Sequence, residues 1–214
     1  CCSTYSGGSS SGQFAHITTN NAASDKNYFN YSSITRCLNE ITGSWYNLRL
    51  QNGKICCPSI NISMNKCYMQ PIFYCYGYVS NFVTCLFTYS SFVDNNATAH
   101  NCIAIGTTSE IDEIKCCNIL RNTQVVLGSR GIILSNGNLT LKDSCILENK
   151  ANCIFYGSSS GIITLSNCTV DSVTYSNSFT IQNTVTKSFI HALNHISTQN
   201  CHSGYDSVGS LIAI

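Results

Sequence analysis

Charge is scarce in this chain. Only 10% of its 214 residues are Asp, Glu, Lys or Arg, against the usual quarter, and 11 basic residues set against 10 acidic ones leave a net charge of +1. Such a chain has no overall basic field to draw in nucleic acid or to hold an anionic membrane surface. Long apolar runs are also missing. The most apolar stretch, Ile72 to Phe92, is broken by Tyr, Ser, Asn and Gly, so no segment reaches the roughly 18 apolar residues of a membrane-spanning helix. No stretch keeps apolar residues at i, i+3, i+4 and i+7 over three turns, which excludes an architecture of amphipathic helices. There are only two prolines, so little interrupts a continuous β-ladder. Cys-x2-Cys is absent, and with it the common zinc frames. Glycine is scattered, so neither a phosphate-cradling loop nor a Gly-x-Ser-x-Gly nucleophile turn occurs.

What the chain does have is a repeat. Cys67, Ser90, Cys117, Ser144, Cys168 and Cys201 form one column, whose two middle steps are equal and whose last is the longest. Three residues before each lie Met64, Phe87, Ile114, Leu141, Leu165 and Thr198. Two residues after each lie Met69, Phe92, Ile119, Ile146, Val170 and Ser203. A small residue flanked by apolar ones, recurring at a mean of about 27 residues, is the signature of a stacked solenoid. Leu139-Thr-Leu141 and Ile163-Thr-Leu165 alternate as half-buried strands do. The next inward position comes three residues on instead of two, which predicts a corner between short strands. A further apolar piece occupies each coil at Cys102–Ile105, Gly131–Leu134 and Cys153–Tyr156, set off by turn residues such as Asn136-Gly137. These features predict an all-β fold: a right-handed parallel β-helix of about eight coils, each of two or three strands. The domain is expected to span 1–214, with 1–55 forming atypical first coils and 56–214 regular ones. The chain begins Cys1-Cys2 and ends Leu211-Ile-Ala-Ile214, so it is expected to belong to a longer protein whose flanking segments cap the coil edges.

Asn95, Asn122 and Asn149 mark one corner in successive coils, at identical intervals. Asn tolerates the left-handed backbone of a tight corner, and stacked amides can bond along a column. With the preceding apolar residue the motif reads Phe92-Val-Asp-Asn95, Ile119-Leu-Arg-Asn122 and Ile146-Leu-Glu-Asn149. These segments resemble the FxxN repeats of polymorphic outer-membrane proteins. Together with Leu139–Asn149 and Ile163–Val170, they resemble more closely the Cys- and Asn-rich β-helix surface proteins of parasitic protists. The likeness covers about residues 60–205 and lacks the bacterial family's Gly-Gly-Ala-Ile partner motif. It implies a pectin lyase-like β-helix, a cell-surface or secreted location, and an adhesive or display role without catalytic residues.

Fifteen cysteines are many for a cytosolic enzyme. Their alternation with Ser in the first column points to small core fillers. Disulfides between coils are the alternative, with Cys168 and Cys201 the best-placed pair, since neighbouring coils lie about 4.8 Å apart. A cytosolic repeat protein with reduced thiols is a further alternative.

Asp94, Arg121 and Glu148 share a column and read as an outer ion ladder. The competing reading makes Asp94 and Glu148 the paired carboxylates of a carbohydrate-active β-helix enzyme, a lyase or glycoside hydrolase. Two coils separate them by about 9–10 Å, near the upper limit for an inverting pair. A catalytic acid must keep its proton, and a guanidinium between the two carboxylates opposes that. His191 and His195 suggest a metal, but the intervening Ala-Leu-Asn lacks the catalytic Glu, and on a strand the two rings stand about 13 Å apart. No metal or cofactor is therefore expected. Tyr74, Tyr76 and Tyr78 fall on one face of a strand whose other face carries Phe73 and Cys75. Such a stripe suits a host protein or a glycan as partner. Asn-x-Ser/Thr occurs at Asn30, Asn61, Asn96, Asn138 and Asn167, no more often than chance in so Asn- and Ser-rich a chain.

Overall fold

The computed structural model describes residues 2–4, 14–20, 22, 24–39, 46–68, 70–77, 85–106, 111–126, 130–158, 161–176 and 178–186. Every strand among them pairs in parallel with the strand one coil away, and no helix occurs among the described residues. The chain is a parallel β-helix. Each coil visits the sheets in a fixed order. The first sheet contains Leu48–Gln51, Phe73–Tyr76, Ile103–Ile105, Ile133–Ser135 and Phe155–Gly157. The second contains Lys54–Pro58, Cys85–Thr88, Ile111–Lys115, Asn138–Lys142 and Ile163–Ser166. The third contains Asn61–Ser63, Ser91–Val93, Asn118–Leu120, Cys145–Leu147 and Thr169–Val170.

A fourth, short sheet was not foreseen in the repeat. It holds Leu38–Asn39, Lys66–Cys67, Asn96–Ala97 and Thr123–Gln124, so the complete four-strand winding occurs four times, not about eight. Residues 15–35, whose sequence matches the repeat poorly, still wind in register. Ala15, Lys26 and Ser33 pair with Leu48, Lys54 and Asn61.

The alternation of side chains builds the core. In the second sheet Cys57, Phe87, Ile114, Leu141 and Leu165 point inward and are fully buried. In the third sheet Ile34, Ile62, Phe92, Ile119, Ile146 and Val170 form the matching column. Phe73, Phe87 and Phe92 meet inside the shaft at ring centroid distances of 5.2–6.4 Å.

The middle of the predicted register holds and its ends do not. Ser90, Cys117, Ser144 and Cys168 share a corner, but the position above Ser90 is Ile60, whose N–H donates to Ser90 Oγ at 3.3 Å. Cys67 lies instead in the fourth sheet beside Ala97. Met64 is likewise a corner residue and not a core one. The true step into this coil runs from Cys57 to Phe87. It is longer than the next step, Phe87 to Ile114, because the chain is longer between Tyr76 and Cys85. At the other end the step shortens: Leu165 pairs with Ile181, Val170 with Thr186, and Cys168 N–H donates to Thr184 Oγ1 at 3.4 Å. Thr184 therefore occupies the place assigned to Cys201. Cys201 itself, Met69, Thr198 and Ser203 lie outside the described residues.

Two columns of left-handed residues turn the chain. Ser59, Tyr89, Cys116, Asp143 and Asn167 sit between the second and third sheets with φ of 51–56°. Met64, Asp94, Arg121 and Glu148 follow the third sheet with φ of 52–57°. The left-handed residue is thus the one before each asparagine, and not Asn95, Asn122 or Asn149 itself. The asparagines hold the corner by hydrogen bonds. The Nδ2 of Asn122 donates to Phe92 O at 2.8 Å and to Asn149 Oδ1 at 3.0 Å, while Asn122 Oδ1 accepts from Asn95. Asn65 begins the same ladder, which reaches back to the N–H of Cys37.

Candidate functional site

The tyrosine stripe lies on the outer face of the first sheet. Phe73 and Cys75 point into the core, so Tyr74 and Tyr76 point out, as the alternation predicts. Tyr78 lies outside the described residues. Two residues not singled out from the sequence complete the cluster. Tyr46 stacks on Tyr74 with ring centroids 4.7 Å apart, and Tyr74 and Tyr76 are nearly parallel at 6.5 Å. The Arg49 guanidinium sits 5.2 Å from the Tyr46 ring and 5.4 Å from the Tyr74 ring, within cation–π range. Register explains the meeting: Tyr74 pairs with Arg49 on one side and with Ala104 on the other. Arg49 was findable as the residue one coil before Tyr74, but only once that register is known.

Gly106 makes room for the stack. A Cβ there would lie 2.6 Å from Tyr74 Oη and 2.8 Å from Tyr76 Cδ2. Burial pushes the Tyr74 hydroxyl above its ordinary pKa, helped by Tyr46 and opposed by Arg49. Burial does the same at Tyr46. The buried Nε of Arg49 has no hydrogen-bond partner among the described residues. Tyr46 is itself buried, so what the cluster presents is the half-buried Tyr74 and Tyr76 beside the Arg49 guanidinium, a combination that recognises sugar rings or aromatic and anionic groups of a protein.

Asp94 and Glu148 stand two coils apart on the outer corner, each on a left-handed residue. Both carboxylate oxygens of Asp94 are taken by Arg121, with Nε at 2.8 Å and Nη2 at 3.0 Å. The N–H of Glu148 donates to the Asp171 carboxylate.

The cysteines divide by position. Cys117 and Cys168 sit in the small-residue corner, where each sulfur donates to a carbonyl two residues back, Lys115 O at 3.2 Å and Ser166 O at 3.4 Å. Ser90 and Ser144 make the equivalent bonds with hydroxyls, to Thr88 O at 3.0 Å and Lys142 O at 2.8 Å. Alternation of Cys with Ser in this column thus has a chemical basis beyond size. Burial pushes Cys102 and Cys117 up to about 12 and Cys67 to about 11. Such thiols stay protonated and unreactive at neutral pH. Cys75 and Cys85 form a disulfide within one coil, joining the end of one sheet to the start of the next. No group of three or more His, Cys, Asp or Glu that could hold a metal ion occurs among the described residues, and His191 and His195 lie outside them. No helix among the described residues is long and apolar enough to cross a membrane. Of the sequons, Asn61 is buried against Ser33 Oγ at 3.1 Å, whereas Asn30, Asn138 and Asn167 are exposed.

No family model matches the chain, and no curated protein and no solved structure matches it. The fold is a β-solenoid whose core is built of stacked side-chain ladders.

Proposed function

We propose that this protein is a non-catalytic adhesive or display scaffold, carried on a cell surface or secreted, which presents an elongated binding surface to a host protein or glycan. The observation that carries this reading is the outward, half-buried pair Tyr74 and Tyr76 beside Arg49, backed by the buried Tyr46, on a coil locked at its corners. A rigid platform keeps such aromatic groups in a binding-ready arrangement, which lowers the entropy lost on association. The Asn-corner repeats, which resemble those of Cys- and Asn-rich protist surface proteins, support the surface placement. The Cys75–Cys85 disulfide supports an oxidising compartment over a cytosolic one.

A screen of the whole protein against glycan arrays and host cells tests the reading. Binding that falls at least about tenfold in Arg49→Ala or Tyr76→Ala, with an unchanged thermal transition, supports it. Binding indifferent to both substitutions overturns the assignment to this face. The second reading, a carbohydrate-active enzyme using Asp94 and Glu148, is disfavoured because Arg121 engages both oxygens of Asp94. Polysaccharide cleavage that disappears in Asp94→Ala or Glu148→Ala would reverse that order.

A further inference from the structure

The outer face of the second sheet carries an arrangement that folding does not call for. Lys26 stands directly opposite Lys54 in the register, and Lys115 directly opposite Lys142. Like charges on adjacent strands repel. None of these four lysines makes an ion pair among the described residues. On the strands of this face Glu113 is the one described acid that points outward, since Asp112 is buried in the core. Four lysines against one glutamate give the strands of this face +3, and Asp25 and Asp143, which border them, bring it to +1. Four of the chain's 11 basic residues thus stand on this one sheet, in two like-charged pairs.

Exposed aromatic rings border the same face. Tyr28 follows Lys26 on the strand, with Lys26 Nζ 6.0 Å from its ring, and is 54% exposed. Tyr31 and Tyr89 occupy the left-handed corner that ends this sheet, at φ 46° and 52°, and are 75% and 50% exposed. A bulky side chain at such a backbone position is unfavourable, and both rings keep half or more of their surface in solvent. The third sheet differs: its outward Thr35, Ser63, Asn118 and Leu147 are all buried. The second sheet is the more open one, with Lys26, Lys54, Lys142 and Thr180 exposed and Lys115, Glu113 and Thr140 half-buried between them.

We infer that the outer face of the second sheet is a binding strip for a linear acidic glycan, carboxylated or sulfated, lying along the coil axis. Ammonium groups serve the acid groups as point charges, and the tyrosine rings stack on the sugar faces. Coils repeat every ~4.8 Å, so Tyr31 and Tyr89, two coils apart, meet alternate rings of an extended chain. A polynucleotide fits less well. Its affinity grows with the number of phosphates neutralised, and beyond four lysines the molecule is net negative. The strip goes beyond the tyrosine–arginine surface on the first sheet and rests only on the same scaffold reading.

The test measures binding of the whole protein to immobilised heparin, to a carboxylate-only polyuronate, to a neutral glucan and to single-stranded DNA of matched length. Acidic glycans are expected to bind and the neutral glucan not, with affinity falling steeply as salt rises; the heparin and polyuronate arms separate sulfate from carboxylate recognition. The double substitutions Lys26→Gln/Lys54→Gln and Lys115→Gln/Lys142→Gln should each weaken binding about tenfold and flatten the salt dependence. Tyr31→Asn keeps the corner conformation, and should weaken binding severalfold without altering the salt dependence. Unchanged thermal transitions certify the fold of each variant. Absence of acidic-glycan binding at low salt, binding indifferent to both lysine pairs, or DNA bound as tightly as heparin would each overturn the inference. The control Lys150→Gln, at an exposed lysine off this sheet, should leave acidic-glycan affinity unchanged, and the lysine pairs are read on acidic glycans alone, so failure of this strip is distinguishable from failure of the first-sheet surface.

Discussion

The side-chain amide of Asn95 donates to Asn122 Oδ1 at 2.9 Å, and the backbone N–H of Asn95 shares that oxygen at 3.1 Å. One coil on, Asn122 repeats both bonds to Asn149 at 3.0 and 2.9 Å. Each buried amide thus ties its own corner to the coils before and after it. Substitution Asn122→Ala removes four hydrogen bonds and strands buried polar groups at Asn95 and Phe92. It is expected to cost about 3 kcal/mol or more, read as a lower denaturant midpoint, whereas Asn30→Ala on the exposed surface should change it by less than about 0.5 kcal/mol.

The left-handed residues that precede these asparagines store backbone strain. Glu148 has φ 57° and is exposed. Glu148→Gly keeps the N–H that bonds Asp171 and should stabilise the protein by about 1 kcal/mol. Asp94→Gly relieves similar strain but loses the Arg121 pair, itself worth roughly 0–1 kcal/mol at this half-exposed site, so its effect should be near zero. Thermal unfolding of the two variants side by side checks both signs; a destabilised Glu148→Gly would contradict the strain argument.

Buried thiols make the fold sensitive to base. Burial raises Cys102 and Cys117 to about 12, from an ordinary value of 9.0. A thiol raised in the folded state contributes its full stability below pH 9, and that stability is lost as pH climbs from 9 towards 12. Each such thiol should cost about 1.4 kcal/mol per pH unit over that window. Cys117→Ser puts into the corner the hydroxyl already found at Ser90 and Ser144. It should fold at neutral pH and show a shallower alkaline loss in a series of unfolding transitions; an unchanged slope would remove Cys117 from the account.

The Cys75–Cys85 disulfide closes a short loop, 10 residues apart in sequence. Replacing both with Ser should cost about 2–3 kcal/mol, chiefly by freeing the unfolded chain. Peptide mapping of unreduced protein should recover the two cysteines in one linked fragment, and finding both alkylated would disprove the bridge.

Much of the shaft could be read from the chain because its middle coils are equal in length. Phe92, Ile119 and Ile146 recur at one fixed interval, and so do their neighbours Ser90, Cys117 and Ser144. The same comb went astray where a corner is longer. Met64-x2-Cys67-x-Met69 imitates the apolar–small–apolar pattern, while the real predecessor of Phe92 is Ile62, further back than the regular interval would place it. Ile62-Ser-Met-Asn65 carried the apolar-x-x-Asn signal all along, and only its spacing concealed it. The binding surface was less legible. Tyr74 and Tyr76 follow from alternation within a strand, but Tyr46 and Arg49 reach them from the preceding coil, and the lysine pairs exist only through register between coils. Nor does spacing reveal a disulfide whose partners lie in adjoining sheets of a single turn.

The passage from the first sheet to the second varies from two residues, Asn52 and Gly53, to eight between Tyr76 and Cys85, while the strands on either side keep their pairing. Where the passage is longest, the Cys75–Cys85 bond fixes the two Cα atoms 6.9 Å apart. At this coil the spacing of the two sheets is set by a covalent tether and no longer by the number of residues in the passage.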